Sequence, residues 1–185
     1  MTCEYASSMR TMSHMKVRTA TSGFTLIEIL IVIVIIGILS TIGLGAFKST
    51  QEKSRDSRRK SDIKNISTAL EVYYNDKRRF PDASGGDIVA CGGQACDAGA
   101  QMADGPTVYM VQFPGDPSSN QYYYETDVEG SYFRLYARLE NLQDRQSAQA
   151  GGEPGEYSGT DCGAAACNFG MTSSNESLPA PVAAD

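Results

Sequence analysis

The chain has 185 residues and a formal net charge of −6 at pH 7, and this length allows one domain together with an extended element. Its single histidine, His14, lies near the start, and the sequence contains neither a glycine-rich phosphate loop nor a P-loop lysine. No enzyme site can be recognised from these features. The sequence therefore favours a structural or binding protein over a catalyst.

Charge is distributed unevenly along the chain. Residues 48–79 carry ten basic and five acidic side chains, whereas residues 80–185 carry three basic and fifteen acidic ones. We therefore expect a basic stalk followed by an acidic head. A basic run can indicate nucleic-acid binding, but a run of charges on a helix is usually a solvated face, and we expect no nucleic-acid partner.

The first 23 residues are predicted to be a cytoplasmic leader peptide. They are polar and carry three basic side chains against one acidic side chain, Glu4, and this bias favours retention in the cytoplasm. The natural start could be Met15 rather than Met1, because a compact basic segment follows Met15 directly.

A long apolar segment follows the leader. Between Phe24 and Phe47 the only ionisable side chain is Glu28. As a helix, residues 24–47 would be about 36 Å long, enough to cross a bilayer core of about 30 Å, so the segment predicts a transmembrane helix. A charged side chain in mid-membrane costs roughly 3 kcal/mol, so Glu28 needs either contact with water at the interface or a partner.

The small residue Gly23 precedes the apolar segment, whereas an ordinary secretory signal is cleaved after it. Cleavage between Gly23 and Phe24 would leave the apolar helix on the mature chain. It would also create a free α-amine four residues from Glu28.

The stretch Gly-Phe-Thr-Leu-Ile-Glu at residues 23–28, leading into an apolar run, resembles the class III signal of type IV pilins and type II secretion pseudopilins. The resemblance implies that a membrane-embedded prepilin peptidase cleaves after Gly23 and N-methylates Phe24. It also implies that Glu28 pairs with the Phe24 amine of a neighbouring subunit as the filament grows. The carboxylate would then fix the register of assembly, as buried polar groups can.

The resemblance implies a structural subunit of a type IV pilus-like filament. Such a subunit would sit in the inner membrane before an assembly platform there adds it to a homo-oligomeric extracellular fibre. A pseudopilin of a type II secretion or competence apparatus, forming a periplasmic pseudopilus, is the nearest alternative. An alternative of a different class is a single-span anchored binding protein that never polymerises. In a filament, the basic stalk would gain a second use by pairing with acidic heads of neighbouring subunits.

Residues 48–79 predict a soluble, amphipathic continuation of the same helix. Its apolar face consists of Ile63, Ile66, Ala69, Leu70, Tyr73 and Tyr74. Asp56 and Lys60 are four residues apart, so we expect them to form an ion pair on the helix surface. The helix should end at Phe80-Pro81, because a residue before proline avoids the α conformation.

The cysteines of the head form two pairs with the same four-residue gap, Cys91 with Cys96 and Cys162 with Cys167. Outside the cytoplasm, disulfides are the default. Two local bridges are our preferred pairing, while crossed bridges stay open because four cysteines allow three pairings. Four thiolates could instead bind zinc, although the gaps are longer than usual and the location is oxidising.

The head, residues 80–185, is predicted to begin with a glycine-rich loop over 82–106. Three strands should follow, at Thr107–Phe113, Gln121–Glu125 and Tyr132–Leu139. The third strand alternates. Its inward face should hold Phe133, Leu135, Ala137 and Leu139, and its outward face Tyr132, Arg134, Tyr136 and Arg138.

Packing of this strand on the helix gives an α+β, pilin-like fold with a small antiparallel sheet. Residues 140–185 are predicted to be loop, with at most one further strand near Tyr157 and a disordered end.

The acidic head could bind calcium through Asp116, Asp127 or Asp144, since Ca²⁺ prefers several oxygen ligands from a tight loop. These aspartates do not form a dense run in the sequence. We therefore predict no metal and no other cofactor as the main interpretation, with these three residues as weak calcium candidates.

Overall fold

The computed structural model describes residues 23–163 and 165–184, except for the side chains of residues 41–46. The predicted leader up to residue 22, with both candidate start residues, lies outside this description. The chain divides into two compact units, Met1–Gly43 and Leu44–Asp185.

One helix, α1, extends over Leu26–Lys77. Thr25 caps its start, because its carbonyl oxygen and its Oγ1 accept the N–H of Glu28 at 3.1 Å and 3.3 Å. Within the part of the chain that the structure describes, no helix is long and apolar enough to cross a membrane.

The helix ends three residues before the predicted Phe80. The N–H of Arg78 still donates to the carbonyl of Tyr74 at 2.8 Å, but Arg78 itself adopts a φ of 63°. A left-handed residue at this position stops a helix. The N–H of Phe80 then bonds the carbonyl of Gly130 at 2.8 Å, so the chain has already turned into the head when it reaches the proline.

The described part of the head contains eleven short strands that form three sheets. They are β1 Asp82–Ser84, β2 Asp87–Cys91, β3 Gln94–Ala95, β4 Met102–Asp104, β5 Thr107–Met110, β6 Tyr123–Thr126, β7 Phe133–Ala137, β8 Gln149–Ala150, β9 Glu153–Glu156, β10 Phe169–Thr172 and β11 Val182–Ala183. The sheets have the orders β1-β2-β4-β5, with β3 on β2, then β10-β7-β6 and β11-β9-β8. All pairs are antiparallel except β2 with β4, so the fold is α+β.

The prediction of a loop over residues 82–106 is wrong, because this segment forms β1 to β4. Two glycine pairs make the turns. Gly85 and Gly86 have φ values of 62° and 95°, and Gly92 and Gly93 have values of 68° and 83°. Two successive residues with positive φ build the tight turn that joins antiparallel strands. The glycines therefore indicated hairpins rather than a loop.

The main core lies between α1 and the sheet that contains β7. The predicted apolar face of α1 is confirmed, with exposures of 0–4% at Ile63, Ile66, Ala69 and Leu70. Tyr73 and Tyr74 are half-buried beside it. The predicted inward face of β7 is confirmed as well, since Phe133, Leu135, Ala137 and Leu139 are fully buried.

The prediction that Tyr136 faces outward is wrong. Its side chain has 0% exposure and its ring centroid lies 5.1 Å from that of Tyr157. Strand β7 is the middle strand of its sheet, and a second apolar cluster with Tyr157, Cys162 and Cys167 covers the other face. A strand buried on both faces does not keep a polar side at every second position.

The chain after residue 140 is more ordered than predicted. It forms β8 to β11, of which β10 pairs with β7 in the central sheet and β11 pairs with β9. The further strand expected near Tyr157 is β9, which ends one residue before it. Asn168 fixes this segment, because its side chain accepts the N–H of Leu139 at 2.6 Å and donates to the Leu139 carbonyl at 3.0 Å.

Candidate functional site

The predicted processing site lies directly before α1. Phe24 is 78% exposed, and a Cβ placed on Gly23 would meet no atom within 4 Å. The peptide bond between these residues therefore joins two exposed positions ahead of the first helical turn.

Glu28 lies in the first turn of α1, and its side chain is exposed. It stands three residues after the cap Thr25, which is the spacing of a capping box. This capping signal is present in the sequence, and we did not predict it. A carboxylate at a helix N-terminus is stabilised by about 0.3–1 kcal/mol, so Glu28 also has a local role in starting the helix.

The apolar side chains that follow are exposed on every side of the helix. From Leu26 to Leu39 the exposure of the large apolar residues runs from 46% at Val32 to 88% at Leu26. A helix that is apolar all round is stable only when lipid or other protein covers it. By itself, this unit leaves its apolar surface without a cover.

A buried ion-pair cluster around Arg59 joins the stalk to the head, and we call it the Arg59 cluster. Arg59 has 0% side-chain exposure. It bonds Asp56 at 2.7 Å, Asp116 at 2.7 Å and Glu140 at 2.8 Å. Burial lowers the pKa of Arg59, but these three carboxylates outweigh burial and raise it. The guanidinium therefore stays charged and joins three separate segments of the chain.

The predicted pair of Asp56 with Lys60 is wrong. Asp56 instead bonds Arg59 and accepts the backbone N–H groups of Glu140 and Asn141, both at 2.9 Å. Lys60 donates to Asp144 at 2.7 Å. In the folded chain, backbone amides of the head bond Asp56 and a carboxylate of the head bonds Lys60. An isolated helix would lack these partners.

The prediction that the basic run is a solvated face is also wrong at Arg59. The residue precedes Ile63 by four positions and Ile66 by seven, which places all three on one side of the helix. This spacing was the signal that could have identified a buried arginine in the sequence.

Three carboxylates of the head, Glu140, Asp116 and Asp144, have pKa values below their ordinary range. A hydrogen bond from Arg55 is the main cause that lowers the pKa of Glu140 to about 2, with burial opposing it and Arg59 adding to it. Burial alone would raise the pKa of Asp116, but hydrogen bonds from Arg59 and Ser118 outweigh it and lower the pKa. A hydrogen bond from Lys60 lowers the pKa of Asp144.

The three weak calcium candidates have separate protein partners. Asp116 bonds Arg59, Asp144 bonds Lys60, and Asp127 accepts the N–H of Ser131 at 2.6 Å. Among the residues with described positions, no group of three or more histidine, cysteine or acidic side chains is arranged to hold a metal ion. The structure therefore does not bring the candidates together.

Both cysteine pairs form local disulfides. Cys91–Cys96 has a Cα–Cα distance of 5.1 Å and Cys162–Cys167 one of 5.3 Å. The first bridge closes the β2–β3 hairpin. The second is buried beside Tyr136 and Tyr157. All four thiols are used, so neither crossed bridges nor a zinc site is formed.

Two segments of the chain match known protein families. Residues 18–44 match the prokaryotic N-terminal methylation motif. Residues 47–150, more than half of the chain, match the family described as Type II secretion system (T2SS), protein G. The chain belongs to the type II secretion protein G family. This membership makes it a filament subunit of the pilus or pseudopilus kind rather than an enzyme, and it confirms the resemblance to pilins and pseudopilins.

Individual relatives agree with the protein G family. The Type II secretion system core protein G of Aeromonas hydrophila is 34% identical over 102 residues, which are 55% of this chain and 70% of that protein. The core protein G of Pseudomonas aeruginosa is 32% identical over 120 residues, 65% of this chain and 84% of that protein.

A type IV pilin is also similar, over a shorter stretch. The Type IV major pilin protein PilA of Myxococcus xanthus is 42% identical over 60 residues, which are 32% of this chain and 27% of that protein. No solved structure matches the chain. The protein G match ends at residue 150, so β9 to β11 and the second disulfide lie beyond it.

Proposed function

We propose that this protein is the pseudopilin subunit of a type II secretion apparatus, where it forms a periplasmic pseudopilus. The match of residues 47–150 to the protein G family supports this most strongly, because it runs from the stalk through most of the head. This match favours a pseudopilus. The N-terminal motif by itself had led us to expect a surface pilus, with the pseudopilus as the nearest alternative.

We propose that residues 1–23 are a leader, which a prepilin peptidase removes by cleavage between Gly23 and Phe24, with N-methylation of Phe24. The match of residues 18–44 to the methylation motif supports this step. Residues 24–47 then hold the subunit in the inner membrane until an assembly platform transfers it to the fibre. Residues 48–79 form the soluble half of the helix and residues 80–185 the head on the periplasmic side, where disulfides form readily.

In the fibre, Glu28 pairs with the Phe24 amine of the neighbouring subunit. The exposed position of Glu28 and its distance of four residues from the new amine support this pairing. Inside a bundle of apolar helices the dielectric is low, so opposite charges attract strongly and an unpaired carboxylate is costly. The pairing therefore stabilises one register of assembly over the others.

A type IV pilin is the second candidate function. The observation that favours it is the 42% identity to a major pilin over 60 residues, which is higher than the identity to either protein G relative. That stretch covers 32% of this chain, and the shared N-terminal architecture of both filament types can account for it.

Deletion of the gene in its own bacterium separates these functions. We expect loss of protein release into the medium, with surface fibres and motility unchanged, and restoration of release by the wild-type gene. An Arg145→Ala gene is a matched control, because this side chain is exposed and is not among the proposed contact residues. Loss of surface fibres and motility with normal release would establish the pilin function instead. Loss of neither would favour an anchored binding protein.

A further inference from the structure

Two groups can be separated among the ten basic side chains of the stalk, besides Lys48 and Arg78, which are exposed near its ends. Arg55, Arg59 and Lys60 point to the head of their own chain and bind its carboxylates. Lys53 and Lys64 are exposed and take part in no ion pair with any residue whose position is described. The sequence predicted that the stalk pairs with the heads of neighbouring subunits, but the side chains of Arg55, Arg59 and Lys60 pair with the head of their own chain. Lys53 and Lys64 are therefore available to bind another partner.

Lys53 and Lys64 lie on one side of α1. They are eleven residues apart, which is three helical turns or about 16 Å along the axis. The hydroxyls of Ser57 and Thr68 on the same side bond the carbonyls of Lys53 and Lys64 at 2.8 Å and 2.9 Å. We call these four residues the outer stalk face. Its hydroxyls are satisfied, and its two ammonium groups share this side of the helix with the carboxylate of Glu71, seven residues after Lys64.

A complementary surface lies on the head. Asp87 and Asp97 line a cleft of about 320 Å³, which we call the acidic cleft. Both are exposed, and neither forms an ion pair within the described ranges. Asp116 also lines the cleft, but Arg59 neutralises it. The cleft therefore carries two carboxylates that have no countercharge. Its lining also includes the polar residues Asn120 and Gln121.

The acidic cleft is held in place by the fold. Asp87 begins β2, and Asp97 directly follows Cys96 of the first disulfide. The N–H of Cys96 donates to the carbonyl of Ile88 at 2.9 Å, which ties the two aspartate-bearing segments together. A pre-ordered site loses less conformational entropy on binding.

We propose that the outer stalk face of one copy docks on the acidic cleft of a neighbouring copy in the fibre, with a stalk ammonium between Asp87 and Asp97. This inference rests on the proposed function, because it needs an assembled fibre. Charge complementarity selects a second copy as the occupant, since the same chain supplies the unpaired cations and the unpaired carboxylates. One exposed ion pair contributes little by itself. In a fibre, every subunit makes this contact twice, once through its stalk and once through its head. The small energy of one ion pair is therefore repeated along the fibre.

Charge reversal tests the contact. We expect Lys64→Glu and Asp97→Lys, each alone, to reduce the yield of fibres recovered from the cell envelope about tenfold, the ratio that corresponds to about 1.4 kcal/mol. The double variant Lys64→Glu/Asp97→Lys should restore the yield, because each reversed stalk then meets a reversed head. Arg145→Glu is the matched control, since it reverses an exposed head cation outside the outer stalk face. Lys53→Glu, alone and with Asp97→Lys, tests which lysine enters the cleft.

Cross-linking gives a second measurement. A chain with Lys64→Cys and Asp97→Cys, or with Lys53→Cys and Asp97→Cys, should form covalent ladders in fibres treated with a short thiol cross-linker. Monomers released by detergent should form none.

Several results would overturn the inference. Normal yield in the single reversals would do so, as would a double variant that stays as poor as the singles. If a chelator removes the fibres and Asp97→Lys has the same effect while Lys64→Glu and Lys53→Glu do not, the cleft holds a divalent cation instead. Absence of fibres from wild-type cells is a different outcome, because it contradicts the proposed function itself.

Discussion

The two halves of α1 differ in how far their apolar side chains are buried. In the first half, Leu30 is 54% exposed and Ile36 is 55% exposed, and the charged Glu28 is exposed too. In the second half, Ile66 and Leu70 have 0% exposure. Burial of a large aliphatic side chain contributes about 1.5–3 kcal/mol. The second half gains this energy within its own unit, whereas the apolar side chains of the first half stay exposed there.

The charges of the two halves differ in the same way. The buried cation Arg59 has three carboxylate partners within its own chain. Glu28 gains the proposed partner only when a second subunit arrives. Substitutions in the second half should therefore change the stability of the head, and substitutions in the first half should change assembly.

The largest expected effect is on assembly. Glu28→Leu should abolish fibres and the secretion that depends on them, because the Phe24 amine of the neighbour would be left without its carboxylate. The unfolding midpoint of the head, followed by circular dichroism, should not change. Thr25→Ala is the matched control, since it removes the helix cap and keeps the carboxylate. Normal fibres in Glu28→Leu would contradict the proposed pairing, whereas normal function without any fibres would favour the anchored binding protein.

Removal of the buried cation should have the largest effect on the head. Arg59→Met keeps most of the side-chain volume but leaves Asp56 and Asp116 buried without a countercharge. We expect a loss of about 3–5 kcal/mol in the free energy of unfolding, measured by urea denaturation. Arg58→Met changes an exposed neighbour and should cost less than about 1 kcal/mol. Equal losses in both variants would contradict the role of the Arg59 cluster.

A matched pair of apolar truncations compares the two halves directly. Leu70→Ala should destabilise the head by about 2–5 kcal/mol, because it leaves a cavity in the core. Ile36→Ala should leave head unfolding unchanged, since the side chain is exposed within its own unit. Urea denaturation of both variants measures the difference. A head destabilised by Ile36→Ala would show that the two halves are not independent.

Acid should lower the free energy of unfolding of the head by a smaller amount than these substitutions do. The pKa of Glu140 is about 2 in the folded chain, against an ordinary value of 4.5. A lowered pKa stabilises the fold above the ordinary value, and this contribution disappears as the pH falls from about 4.5 to 2.

We expect the contribution to be about 1–2 kcal/mol, because a carboxylate that is 26% exposed is partly screened by solvent. Glu140→Gln should flatten the dependence of the unfolding free energy on pH in this range, and the exposed Glu153→Gln should not. An unchanged slope in Glu140→Gln would show that other carboxylates cause the acid sensitivity.

Patterns with a short period predicted much of the fold. The helical spacing of Ile63, Ile66 and Leu70 and the alternation in Phe133–Ala137 identified the two surfaces that meet in the core. Both disulfides join cysteines that are close in sequence. In each case the residues that mattered were near one another along the chain.

Features that depend on distant contacts were not predictable in the same way. Arg59 is buried because Asp116 and Glu140 reach it from far along the sequence. Tyr136 is buried because a segment after residue 150 covers it. In the site at the start of α1, by contrast, Gly23, Phe24 and Glu28 could be named from a local motif, whereas their proposed partner lies in another subunit.

Mass spectrometry of the mature N-terminal peptide from fibres recovered from the cell envelope tests the central claim most directly. We predict a peptide that begins with N-methylated Phe24, with the leader absent. That result would establish cleavage after Gly23 and place the processed chain in an assembled fibre. An intact leader on a protein found only in membranes would contradict both the processing and the filament function.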